Sequence, residues 1–72
     1  MRVDLERQSR AGALIRKGSS QAQSIFKAAT CLAYAQGLRI QDAIDFGTEQ
    51  ARMTESVFMP VYDVALLTLD SE

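Results

Sequence analysis

The amino-acid sequence predicts an all-α fold: a small bundle of three to four short helices, residues 1–72 forming one helical domain that homodimerisation completes. Apolar residues recur at helical spacing through most of the chain, and serines and glycines stand where helices would begin and end. A chain of 72 residues, folded alone, buries only about 60% of the surface its unfolded form exposes, so a second copy or another protein is expected to cover part of it. Small domains often make up such a deficit with disulfides or metals. This chain has a single cysteine, Cys31, and no histidine.

The first helix is expected over about residues 3–17. Asp4 and Glu6 stand in its opening turn and Arg16 and Lys17 in its last, matching the two ends of the helix dipole, and Gly18 ends it. Its apolar face is thin, Ala11, Leu14 and Ile15 with Leu5 or Val3, so it covers a core without forming one. Gly12 weakens it further.

The second helix has the clearest limits. Ser20 with Gln23 makes a capping-box pattern at its start, and Gly37 sits just past its end. Between them Ala22, Ile25, Phe26, Ala29, Leu32 and Ala33 define a buried stripe, while Ala28, Cys31 and Ala35 define a second stripe of small residues. Small side chains let another helix approach closely, which predicts a central helix packed on two sides. Tyr34 is expected where its hydroxyl reaches water.

A third helix over about residues 40–54 places Ile40, Ala43, Ile44, Gly47 and Ala51 on one face and Asp42, Asp45 and Glu49 on another, with Gly47 as a close-packing point. In the tail, "TESVFMPVYDVALLTLDSE", the Val, Phe, Tyr and Thr content suits a strand and Pro60 suits the first turn of a helix. Helix is favoured over residues 57–69, with strand left open. Val57, Val61, Val64 and Ala65 with Thr68 would form one stripe, and Phe58, Tyr62, Leu66 and Leu69 a second. That second stripe has no counterpart in so small a chain. With Met53 and Met59 as adaptable neighbours, Phe58, Tyr62, Leu66 and Leu69 are therefore the expected partner-binding surface.

Net charge is only −1, but the charges are split along the chain. Residues 1–27 carry Arg2, Arg7, Arg10, Arg16, Lys17 and Lys27 against Asp4 and Glu6, a balance of +4; residues 28–72 carry Arg39 and Arg52 against seven acids, a balance of −5. Arg7 and Arg10 are expected to complement Asp42, Asp45 and Glu49, within a chain or between two, setting register more than strength.

Without histidine, Ser–His and Cys–His nucleophile pairs and the common zinc sites are excluded, so no catalytic residue, cofactor or metal site is expected. Asp42, Asp45 and Glu49 read as a solvated or partner-facing surface in preference to ligands for a hard cation. Cys31, inside an apolar run, reads as a buried thiol in a reducing compartment. No apolar stretch approaches the roughly 18 residues that span a bilayer, and "MRVDLERQSR" lacks the apolar middle of a signal peptide, so a cytoplasmic protein is expected. The stretch "QGLRIQDAIDFGTEQARMTES" resembles a helical segment near the C-terminus of ribokinase-like sugar kinases. That likeness is one of amphipathic pattern, and the glycine-rich catalytic motif of those kinases has no counterpart here.

Two further motifs carry alternatives. In "AYAQGLRIQDAIDF", Ala33 and Gly37 have the spacing of a helix-turn-helix, which would make residues 22–54 a DNA-binding unit of a transcriptional regulator. Its recognition helix would then present Gln41, Asp42, Asp45 and Glu49 to phosphates, which carboxylates repel. In "RKGSSQ", Arg16, Lys17, Ser19 and Ser20 precede a helix whose first N–H groups point outward, a possible anion-binding turn for a small phosphorylated ligand. The competing reading makes Ser19 and Ser20 helix caps and Arg16 and Lys17 partners of the preceding helix's dipole. The function expected overall is a non-enzymatic adaptor, inhibitor or regulator that binds itself and another protein, with nucleic acid disfavoured and no membrane. Its size class is common among accessory proteins of phages and other mobile elements.

Overall fold

The structure, a computed structural model, describes residues 5–18 and 20–65. Among them are three helices and no strand: α1 (Leu5–Leu14), α2 (Gln21–Ala35) and α3 (Ile40–Arg52). Helix α2 packs against both of the others, as predicted, but its stripes are not wholly inward: Ala28 of the small-residue stripe and Leu32 of the first are exposed.

Local chemistry sets the ends of α2. Ser20 is extended (φ −83°, ψ 154°) and its Oγ accepts the Gln23 N–H at 3.0 Å. At the other end Gly37 has φ +112°, a conformation in which a side chain is strained. The Gly37 N–H donates to the Tyr34 carbonyl at 3.1 Å and the Leu38 N–H to the Ala33 carbonyl at 3.2 Å, the paired bonds of a Schellman closure. The chain then turns into α3 within four residues, 36–39.

Helix α3 buries Ile40, Ala43, Ile44, Gly47 and Ala51, the set its spacing predicts. Gly47 is where it crosses α2. A Cβ there would collide with Thr30 Oγ1 and stand 2.9 Å from the Phe26 carbonyl oxygen. Thr30 is fully buried, and its hydroxyl has no hydrogen-bond partner.

Helix α1 stops at Leu14, short of the expected end near residue 17. Ile15 leaves the helix to pair antiparallel with Tyr62, and the Asp63 N–H donates to the Leu14 carbonyl at 2.7 Å. That bond satisfies a carbonyl left open at the helix end. Arg16 and Lys17 are consequently exposed beyond the helix, outside its last turn. Arg7 fastens α1 to the C-terminal end of α2: its Nε donates to the Tyr34 carbonyl at 2.7 Å and its Nη2 to the Leu38 carbonyl at 2.6 Å. The guanidinium lies 3.7 Å from the centre of the Tyr34 ring, a cation–π contact. Tyr34 is buried beneath it, which corrects the expectation that its hydroxyl reaches water.

The tail is not helical over residues 57–63, contrary to the favoured reading. It runs through turns into extended chain and ends, within the described residues, in a short 3₁₀ turn at 64–65. Its backbone groups are bonded elsewhere. The buried Gln23 amide donates to the Val61 carbonyl at 3.1 Å and to the Arg16 carbonyl at 3.2 Å, and accepts the Val61 N–H at 3.2 Å. The Arg52 Nε donates to the Phe58 carbonyl at 3.1 Å. Apolar contact adds to this: the Phe58 ring lies 5.8 Å and the Tyr62 ring 6.3 Å from that of Phe26, centre to centre.

Candidate functional site

Packing α3 on α2 through Gly47 leaves apolar side chains on the outside of the same helix pair. Phe46, one residue before the crossing glycine, is turned about 100° away from it around the helix. Leu32, expected in the buried stripe, lies one residue from the buried Ala33 and is turned outward in the same way. Leu38 emerges from the turn that Gly37 makes possible. The three meet. Leu32 (47% exposed), Leu38 (38%) and Phe46 (40%) border one groove of about 170 Å³ with Ala33 and Gln36.

Leu32 also borders a second, shallower groove between α1 and α2, lined by Gln8, Ser24, Lys27, Ala28 and Cys31. The apolar seam therefore continues along α2, with the small Ala28 exposed on it. Cys31 is buried at this boundary. Burial pushes its thiol above the ordinary range, and the nearby Lys27 ammonium opposes that shift.

Charge flanks the seam on two sides. Asp42 and Glu49 stand four residues before and three after Phe46, on the same side of α3, and Asp45 lies beside them. All three are exposed, and Asp45 accepts a hydrogen bond from Gln41 at 3.2 Å. Lys27 is the cation on the α2 side.

The residues named from the sequence are distributed differently. Phe58 is 3% exposed and belongs to the core, and Tyr62 is partly buried against it, so the expected contact stripe is turned inward at both positions. Met53 and Met59 are well exposed. Leu66 and Leu69 lie outside the described residues. Arg10 pairs with Glu6 at 3.2 Å, one turn away on its own helix, and Arg7 is held by the Tyr34 and Leu38 carbonyls; among the described residues no bond joins either to Asp42, Asp45 or Glu49.

At the anion-binding turn, Lys17 and Ser20 border a recess with Gly18, Gln23, Glu55, Phe58, Met59 and Val61. Ser20 Oγ accepts a helix N–H and the Gln23 amide is bonded to the tail, so these polar groups already have partners, and a carboxylate lines the recess. Arg16 is exposed, with its carbonyl bonded to Gln23, and Ser19 lies outside the described residues. The sequence pattern puts Leu32 in the buried stripe and gives no role to Leu38 or Phe46. The available signal was Phe46 itself, an aromatic set among Asp42, Asp45 and Glu49 on an otherwise charged face.

No protein-family model, curated protein or solved structure matches the chain. Among the described residues, no helix is long and apolar enough to cross a membrane.

Proposed function

We propose that the protein is a non-catalytic binding module, an adaptor, inhibitor or regulator, that engages protein through the α2–α3 seam. One observation carries this reading. Three large apolar side chains from two helices and their connecting turn, Leu32, Leu38 and Phe46, are each more than a third exposed around a common groove. An apolar centre bordered by charge has the anatomy of a protein interface, with an aromatic anchor at its core.

The α2–turn–α3 unit has the element order of a DNA-binding helix-turn-helix, but the outward side of α3 carries Asp42, Asp45 and Glu49 where phosphates would lie. The test compares both activities on the same variants. Proteins retained from a cell lysate by the immobilised chain should be lost on Leu32→Asp or Phe46→Asp, and random duplex at low salt should show no mobility shift. A salt-sensitive shift that Asp45→Lys with Glu49→Lys strengthens would overturn the reading in favour of DNA.

A further inference from the structure

Resting on the binding-module reading, we infer that the occupant of the seam is a second copy of this chain, seated across a twofold axis that brings each Lys27 to the other copy's Asp42 and Glu49. The seam is bipolar. Lys27 lines the α1–α2 groove that shares Leu32 with the apolar centre, while Asp42 and Glu49, with Asp45 beside them, outnumber Arg39 on the Phe46 side of α3, all of them exposed. In a twofold contact the same patch faces itself, so each flank is presented to the opposite or the same flank according to the direction of the axis. An axis lying in the interface, perpendicular to the line from Lys27 to the acids, puts cation against carboxylate twice and apolar centre on apolar centre. Turning the axis by a right angle puts like charges together on both flanks.

The charge pattern thus favours one orientation and penalises the other, which is how interfacial charge fixes register. A partner recognised through a single sign of charge, such as nucleic acid or an acidic peptide, would leave one flank repelled. Two copies of a chain of net charge −1 also approach with little overall repulsion. Ala28, exposed beside Leu32 and Lys27, lets the facing surface approach without a bulky side chain in the way.

Sedimentation equilibrium on the full chain tests the assignment, with circular dichroism on each variant to establish that it is folded. A dimer is expected for the wild type at micromolar concentration. Phe46→Asp should be a folded monomer, because the ring it removes is 40% exposed. Lys27→Glu should weaken dimerisation about tenfold at low salt, since each of two symmetric pairs becomes a repulsion. Adding Asp42→Lys and Glu49→Lys should recover most of that loss by exchanging the flanks. A dimer indifferent to Phe46→Asp, or no recovery on the exchange, would overturn the inference. A wild-type monomer that still captures another protein through Phe46 would overturn the second copy as occupant while leaving the binding module standing.

Discussion

Between α2 and α3 the contact is helix on helix, a stripe of Ile40, Ala43, Ile44, Gly47 and Ala51 laid over Phe26, Thr30 and Ala33. Between α1, the start of α2 and the tail the buried apolar set is smaller, Ala11, Leu14, Ile15 and Ala22, and polar bonds supplement it. That half is joined by directed polar bonds: Arg7 to the end of α2, Gln23 to Val61, the Asp63 N–H to Leu14, with the Phe26, Phe58 and Tyr62 rings filling the space between. The two halves fail differently under substitution. Close packing breaks when volume is added, whereas a polar strap breaks when a donor or acceptor is taken away.

The largest effect is expected at the helix crossing. Gly47→Ala places a methyl group against Thr30 Oγ1 and the Phe26 carbonyl, and a backbone oxygen cannot yield as a side chain does. A loss of about 3 kcal/mol is expected, the upper end of overpacking. Thr30→Ala in the same chain removes the nearer obstacle together with an unpartnered buried hydroxyl, and should recover part of the loss, the carbonyl remaining 2.9 Å from the new Cβ. Urea denaturation of the four proteins in the cycle measures the coupling. A Gly47→Ala protein as stable as wild type would show that α3 does not cross α2 at this point.

A smaller effect, confined to the other half, is expected of Gln23→Leu. The substitution keeps the side chain's approximate bulk and removes its bonds to Arg16 and Val61, leaving the backbone groups of Val61 without partners inside the protein. About 2 kcal/mol is the expected loss. Its signature is local: the Val61 amide should exchange with solvent faster while amides in the middle of α3 keep their protection. Equal acceleration in α3 would mean that the two halves open as one unit, and the contrast between them would fall.

The same contrast explains what could be read from the sequence. The limits of α2, the buried face of α3 and the close-packing role of Gly47 follow from signals within one helix: a cap three residues from its donor, a period of 3.6, a glycine on an apolar face. The tail's apolar periodicity is as good as that of α3 on paper, and it misled. Phe58 and Tyr62 are four apart, as on a helix, yet both contact Phe26 from a non-helical chain that is tied at Val61 to Gln23, 38 positions away. No local pattern encodes a partner at that distance. Charge was legible in amount, whereas the bond from Arg7 to a carbonyl at the end of α2, 27 residues on, has no signal in the sequence. Spacing alone puts Leu32 inward with Phe26 and Ala29. The neighbouring Ala33 took the inward place, and the larger side chain was left for the candidate site.

The smallest effect concerns Cys31, buried where the groove between α1 and α2 meets the outer seam. Burial raises its thiol pKa in the folded state, with Lys27 acting against the rise. Because the folded chain disfavours the thiolate, the unfolded chain ionises first as pH climbs. The thiol's contribution to stability is therefore full below the unfolded thiol range and is lost as pH rises through it towards the folded pKa. Between neutral pH and about pH 10, where unfolded thiols are ionised, the wild type should lose more melting temperature than Cys31→Ala. That comparison cancels the lysine and tyrosine titrations common to both proteins. Lys27→Met should widen the difference, since it removes the one charge that eases ionisation of the buried thiol. Parallel pH profiles for the wild type and Cys31→Ala would place the thiol in water, and the groove between α1 and α2 would then be more open than the packing around Cys31 implies.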